Sequence, residues 1–145
     1  MSAQSVSHST VVGAPPARVF AILSDPRQHP EFDGSGTVKA ALKAPERLEL
    51  GSTFGMRMHF LAPYVIKNTV VEYEPDRLIA WRHFGGHRWR YELEPAGEGR
   101  TKVTETFDWS TSRSPRVIEL MGFHTRNSKS IEATLKQLAK YVDER

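Results

Sequence analysis

The chain contains no cysteine. That one absence excludes a disulfide framework, a thiolate metal site and a cysteine nucleophile. No run of about 18 apolar residues occurs, so no membrane span is expected. Met1 to Thr10 is polar and lacks the apolar centre of a secretory signal, so a cytoplasmic protein is expected. Excess charge of one sign is also scarce. There are 20 Lys and Arg against 17 Asp and Glu, a net charge of +3, and the basic residues are scattered. This argues against nucleic acid as a partner. His83 and His87 flank Gly85-Gly86 with no third ligand beside them, so neither a metal nor a cofactor is expected. Gly34-Ser35-Gly36 and Gly97-Glu98-Gly99 lack the strand-to-helix setting that phosphate loops and nucleophile elbows need.

What is present suits a single domain over residues 1–145, with a modest core drawn from 39% hydrophobic residues. Ser5 to Val12 alternates as a strand. Pro15-Pro16 opens a helix with Val19, Phe20, Ile22 and Leu23 on its apolar face, and Ser24-Asp25-Pro26 stops it. Pro26 to Phe32 reads as a second short helix, and Thr37 to Ala44 as a strand. Four further strands follow: Thr53–Leu61, Tyr64–Glu74, Arg77–Phe84 and His87–Glu94. The turns Ala62-Pro63, Pro75-Asp76 and Gly85-Gly86 separate them. Pro95 to Gly99 turns the chain into a last strand, Arg100–Trp109. Ser114-Pro115 then starts one long helix to about Glu144. Its stripe is Val117, Met121, His124, Ser128, Ile131, Leu135, Leu138 and Val142.

The turns set the strand faces. Pairing Phe84 with His87 places Arg82 opposite Trp89 and Ala80 opposite Tyr91. Pairing Leu93 with Val103 places Tyr91 opposite Glu105 and Trp89 opposite Phe107. The inner face then carries Leu78, Arg82, Trp89, Tyr91, Leu93, Val103, Glu105 and Phe107. By the same parity it carries Phe54, Met56, Met58 and Phe60, and then Val65, Lys67, Thr69, Val71 and Tyr73. Charged groups among inward aromatics must be paired, wet or functional, because burying an unpaired charge costs several kcal/mol or more. On the outer face, Val70, Ile79 and Trp81 form an apolar patch. Arg90 is placed for a cation–π contact with Trp81, and the patch suits a homodimer.

The element order, a strand, two short helices, six hairpin-linked strands and a long helix, resembles the α+β helix-grip fold. In that fold a curved antiparallel sheet wraps a long C-terminal helix. The fold is that of the START-like, or SRPBCC, superfamily, which includes Bet v 1-like proteins. Local wording agrees. "APPARVFAILSDPRQHPEFDGSGTV", "HRWRYELEP…GRTKVTETFDW" and "RNSKSIEATLKQLAKYVDE" are similar to segments of the bacterial polyketide cyclase/dehydrase-type family. The resemblance implies a cavity between sheet and final helix for a small hydrophobic, polyketide-like or lipid molecule.

The expected cavity set is Met56, Met58, Thr69, Arg82, Trp89, Tyr91, Glu105, Phe107, Met121, His124 and Ser128. Met and aromatic stripes are ordinarily plain core, and the helix-grip reading is what turns the central ones into lining. Glu105 is either a cavity carboxylate with a raised pKa or half of a salt bridge with Arg82. Lys67 is read as a stem reaching to the cavity mouth. Three functions are carried forward. The first is hydrophobic ligand binding. The second is a polyketide cyclase or dehydratase, with Glu105, Arg82, Tyr91 and His124 as candidate catalytic groups. The third is a protein-interaction module using the outer sheet face.

Overall fold

The computed structural model describes residues 4–35, 37–42, 44–82 and 86–143. The expectations for His83, Phe84 and Gly85, for the Phe60 side chain and for the helix end at Glu144 fall outside them. Seven strands form one antiparallel sheet: β1 Ser5–Val12, β2 Val38–Leu42, β3 Thr53–Phe60, β4 Ala62–Glu74, β5 Leu78–Arg82, β6 Arg88–Pro95 and β7 Thr101–Asp108. Their order across the sheet is β1-β7-β6-β5-β4-β3-β2. Two short helices, α1 Pro16–Leu23 and α2 His29–Phe32, follow β1, with a 3₁₀ turn at Pro26–Gln28 between them. The helices α3 Pro115–Leu120 and α4 Phe123–Asp143 follow β7. This is the α+β helix-grip arrangement.

Each helix has a visible local cause. Pro16 opens α1, whose Val19, Phe20, Ile22 and Leu23 are buried, and the Ser24 hydroxyl donates to the Phe20 carbonyl at 2.7 Å as the helix ends. Asp25 then caps the 3₁₀ turn by accepting from the Arg27 amide at 3.1 Å. The single long final helix expected from Pro115 is broken. Gly122, at φ 73°, donates to the Glu119 carbonyl at 3.1 Å, as a left-handed residue does just past a helix end. The break rotates α3 out of phase with α4. Val117 and Met121 are therefore exposed and Ile118 is buried, while Ile131, Leu135, Leu138 and Val142 keep the expected buried stripe.

The strand faces match the expectation at one side of the sheet and not at the other. Leu93↔Val103, Tyr91↔Glu105 and Trp89↔Phe107 pair as expected. In β4 as far as Val70, and in β5, the parity is reversed, whereas Tyr73, paired with the buried Ile79, keeps the inner face expected of it. The β3–β4 ladder continues to Phe60↔Ala62, with Leu61 alone at the tip in a left-handed conformation (φ 64°). Pro63 is therefore a strand residue opposite His59. It sits where β4 runs on beyond the end of its pairing with β5 at Thr69↔Arg82, so its missing N–H costs little. Tyr64, Ile66 and Asn68 consequently point inward, while Val65, Lys67 and Thr69 do not. The Pro75-Asp76 turn takes a third residue, with Asp76 at φ 64° and Glu74↔Leu78 as the closing pair. A bulge at Val71 between Val70 and Glu72 resets the register once more.

β5 is inverted for a separate reason: it pairs with β6 one residue out from the register that a two-residue Gly85-Gly86 hairpin would give, so Arg82 does not face Trp89 nor Ala80 Tyr91. Trp81↔Trp89 and Ile79↔Tyr91 are the observed pairs, with Arg82 opposite Arg88. Arg82 and Leu78 leave the inner face. Val70 and Ile79 are buried and Trp81 is half-buried on the inner face, so none of the three can supply the outer partner surface expected of them. Arg90 does not meet Trp81 either. On the outer face it grips Glu72 with Nε and Nη2 at 2.8 Å each and lies 3.4 Å from Asp108. Arg88 adds a 2.7 Å bond to the same Glu72 carboxylate. These bonds, Arg90's first, hold the Glu72 carboxyl below its usual range. Glu72→Gln would leave two half-covered guanidiniums short of an anion. It is expected to lower stability by about 2 kcal/mol, whereas Glu74→Gln, at an exposed pair with Arg77, should change nothing measurable. Equal urea midpoints for the two variants would contradict this.

Candidate ligand cavity

The packing of α4 determines where space is left. α4 lies against β1 and, less extensively, β7, and α2 links it to the opposite edge at β2. A cavity of about 460 Å³ remains under the central strands, within the range of small-molecule sites. β3 supplies Phe54, Met56 and Met58, β4 supplies Tyr64, Ile66 and Asn68, and β5 supplies Trp81. Trp89 and Tyr91 come from β6 and Glu105 from β7. His29, Phe32, Asp33, Ser35, Thr37 and Val38 close one side, and Phe123, Arg126, Ser130, Ile131 and Thr134 of α4 close another.

Of the residues expected at a cavity, the structure brings Met56, Met58, Trp89, Tyr91 and Glu105 together there. The others lie elsewhere. Thr69 and Arg82 are on the outer side of the sheet. Phe107 is buried behind the lining, with its ring centroid 4.8 Å from Trp89 and 5.6 Å from Trp109. His124, half-buried, packs on Trp109 at 5.3 Å outside the cavity lining. Ser128 faces β1, where its hydroxyl meets His8 Nε2 at 2.8 Å. Met121 is exposed in the α3–α4 break.

Several lining groups gave little sequence signal. His29 sits in a one-turn helix, stacks on Trp81 with centroids 4.9 Å apart at 20°, and donates from Nε2 to the Leu23 carbonyl at 2.8 Å. Burial pulls its pKa down to about 4, so the ring is neutral. Phe54 meets both His29 and Trp81 edge-on. Gly34 lies against the α4 backbone and donates to Thr134 Oγ1 at 2.9 Å. Asp33 Oδ2 accepts from the Ser35 amide and hydroxyl at 3.1 and 2.6 Å.

The chemistry concentrates at Glu105, which is 4% exposed. Burial pushes its carboxyl up to about 8; the Tyr91 hydroxyl hydrogen bond works against that, and the Asp33 carboxylate adds to it. Among the described residues no lysine or arginine lies against it, so the alternative of a salt bridge with Arg82 is not realised. Burial, with Glu105 next, moves the Tyr91 phenol well above its ordinary range, and burial lowers His87. Two lining atoms within the cavity, Glu105 Oε1 and Asn68 Oδ1, are buried without a hydrogen-bond partner among the described residues. Arg126, the one lysine or arginine among the described lining residues, lies over the Phe123 ring at 5.0 Å. No cluster of three or more His, Asp or Glu that could hold a metal is found among the described residues, and none of their helices is long and apolar enough to cross a membrane.

A seven-stranded sheet gripping a C-terminal helix across a lined cavity defines a helix-grip domain. The chain belongs to the polyketide cyclase / dehydrase and lipid transport family, whose sequence pattern matches residues 3–143. An uncharacterised Mycobacterium tuberculosis protein, Rv0088, is 44% identical over 139 residues, which is 92% of this chain and 62% of that protein. The chain therefore spans less than two thirds of this curated relative. Solved structures share the fold at low identity. A Rhodobacter sphaeroides protein superposes with a TM-score of 0.75 at 16% identity, over 99% of this chain and 94% of its own. An Arthrobacter aurescens protein does so with a TM-score of 0.72 at 20% identity, over 95% and 87%.

Proposed function

We propose that the chain binds a small, largely apolar molecule in the cavity between the sheet and α4. The observation that carries this reading is the 460 Å³ space itself, walled by Trp81, Trp89, Phe54, Met56, Met58 and Ile66. Apolar burial at about 25 cal/mol per Å² supplies most of the affinity, and each large aromatic contributes a substantial share. Native mass spectrometry of freshly purified protein tests it directly by revealing a retained small molecule. Removing a wall should also register. Trp89→Ala is expected to weaken binding of an apolar naphthalene probe by about tenfold or more. Arg82→Met, outside the cavity, should leave it unchanged. A probe that binds wild type and Trp89→Ala alike is not in this cavity.

A second reading, a cyclase or dehydratase, draws on the pairing of Glu105 with Tyr91. A protonated carboxyl in a dry cavity can pass its proton to a carbonyl oxygen or a departing hydroxyl, a contribution of about 10² to 10⁴ in rate. Of the four candidate catalytic groups, these two line the cavity, and Arg82 and His124 do not. Turnover of a poly-ketone substrate that vanishes in Glu105→Gln, with product affinity intact, would favour this reading over a carrier.

A further inference from the structure

We propose that the ligand of this cavity carries an uncharged carbonyl oxygen at its buried end, accepting a hydrogen bond from the Glu105–Tyr91 pair, and that ligands ending in a carboxylate or phosphate are rejected. The inference rests on the cavity-binding reading above and specifies the ligand's polar end.

Counting hydrogens leads to the donor. Tyr91 and a neutral Glu105 together hold two O–H protons. One is used in the bond between them; Glu105 Oε1 is buried without a partner among the described residues. Whichever group donates in the mutual bond, one O–H remains for the cavity. A buried donor left unmade costs about 1–3 kcal/mol, so an acceptor at that point is favoured. A carbonyl oxygen meets the need and brings no charge.

The surroundings disfavour an anion. Glu105 is faced by Tyr91 on β6, by Asp33 in the loop after α2 and by His8 at the paired position on β1, and the neutral His29 lines the same cavity. His8 is turned to Ser128 at 2.8 Å and to Glu132 at 3.4 Å on α4. His29 is already committed to the Leu23 carbonyl. The cation of the lining, Arg126, is on the exposed first turns of α4. An anion placed beside Glu105 would meet the Glu105 and Asp33 carboxyls and, among the described residues, no lysine or arginine, and would be desolvated without compensation.

The proposal requires Glu105 to be protonated, as its pKa of about 8 allows at neutral pH. Above that pH the pair loses its spare donor. Calorimetric titration with three naphthalene probes at pH 7 and pH 9 tests this. The probes are 2-acetylnaphthalene, 2-isopropylnaphthalene and 2-naphthoate, which differ only in the polar end. At pH 7 wild type should bind the ketone several-fold tighter than the hydrocarbon and at least about tenfold tighter than the carboxylate. At pH 9 the ketone's advantage should disappear while the hydrocarbon's affinity holds. Glu105→Gln keeps a donor that does not titrate, so it should retain the ketone preference at both pH values, and hydrocarbon binding shows that it is folded. Equal ketone and hydrocarbon affinities in wild type, tighter naphthoate binding, or an unchanged pH dependence in Glu105→Gln would each overturn the proposal and leave the cavity reading standing. If even the hydrocarbon fails to bind, the cavity reading falls and the proposal falls with it.

Discussion

Gly34→Ala is expected to lower stability by about 3 kcal/mol, at the upper end of what one added methyl costs in a packed site. A Cβ at this position would lie 2.4 Å from the Ala133 carbonyl carbon and the Thr134 amide nitrogen, and 2.5 Å from the Ala133 Cβ. Two of these neighbours are helix backbone and the third is a Cβ fixed to it, none the far end of a flexible side chain, so relief requires the loop to move off α4. The 2.9 Å bond from the Gly34 amide to Thr134 Oγ1 would be lost with it. The same loop carries Asp33 and Ser35 into the cavity wall, so the variant should also bind an apolar probe more weakly. Gly97→Ala gives the scale. Gly97 has open space around its Cβ but sits at φ 103°, so it tests backbone strain without a clash, at about 1 kcal/mol. Urea midpoints that fall equally in the two variants would show that the close approach to α4 does not hold in solution.

That close approach also marks the limit of what the sequence made legible. Gly34 stood out only as part of a short loop signal, because a glycine required by a distant backbone looks like one required by a turn. The last hairpin was readable because Gly97 and Gly99 supply the positive φ values its turn needs, at 103° and 67°, and the alternation of Trp89, Tyr91, Val103 and Glu105 then fixes the faces. β4 and β5 were not readable in the same way. Leu61 turns the chain with no glycine to announce it, and Pro63 two residues on, a strong turn signal in sequence, lies within the ladder. The bulge at Val71 adds one residue without any change in composition. A one-residue slip exchanges the two faces of a strand; β5 has its own slip, since Trp81 and not Arg82 pairs with Trp89, where a two-residue Gly85-Gly86 hairpin was expected, and that is why Trp81 was expected outside and Arg82 inside. The helix break had a legible cause in Gly122, yet the apolar spacing runs through it from Val117 to Ile131 and hides it. His29 had the weakest signal, since its partners Trp81, Phe54 and the Leu23 carbonyl are assembled only by the fold.

The stability of the protein should stay nearly constant from about pH 5 to 6, fall between about pH 6.5 and 8, and level off above. Two buried groups with opposite slopes produce this shape. Glu105 is raised from 4.5 to about 8 in the fold. Between those values the unfolded chain has released a proton that the folded chain keeps, so stability declines as pH rises. His29 is lowered from 6.5 to about 4. Between those values the unfolded chain binds a proton that the folded chain refuses, so stability climbs as pH rises. Each slope reaches at most about 1.4 kcal/mol per pH unit, and from 4.5 to 6.5 they oppose each other. Glu72 and Asp108, both held below their usual range, add a loss in acid below this window. Single variants should separate the two main terms. Glu105→Gln should show stability rising to about pH 6.5 and flat beyond it. His29→Gln should show a decline from about pH 4.5 to 8, whatever packing it loses against Trp81, because the readout is the shape of the profile. Superimposable profiles for wild type and Glu105→Gln would mean that the carboxyl does not keep its proton in the fold. The same linkage reaches the cavity. A ligand that accepts from the protonated pair stabilises the fold most where that proton is present, so its effect on Tm should shrink as pH passes 8, while that of a hydrocarbon of the same shape should not.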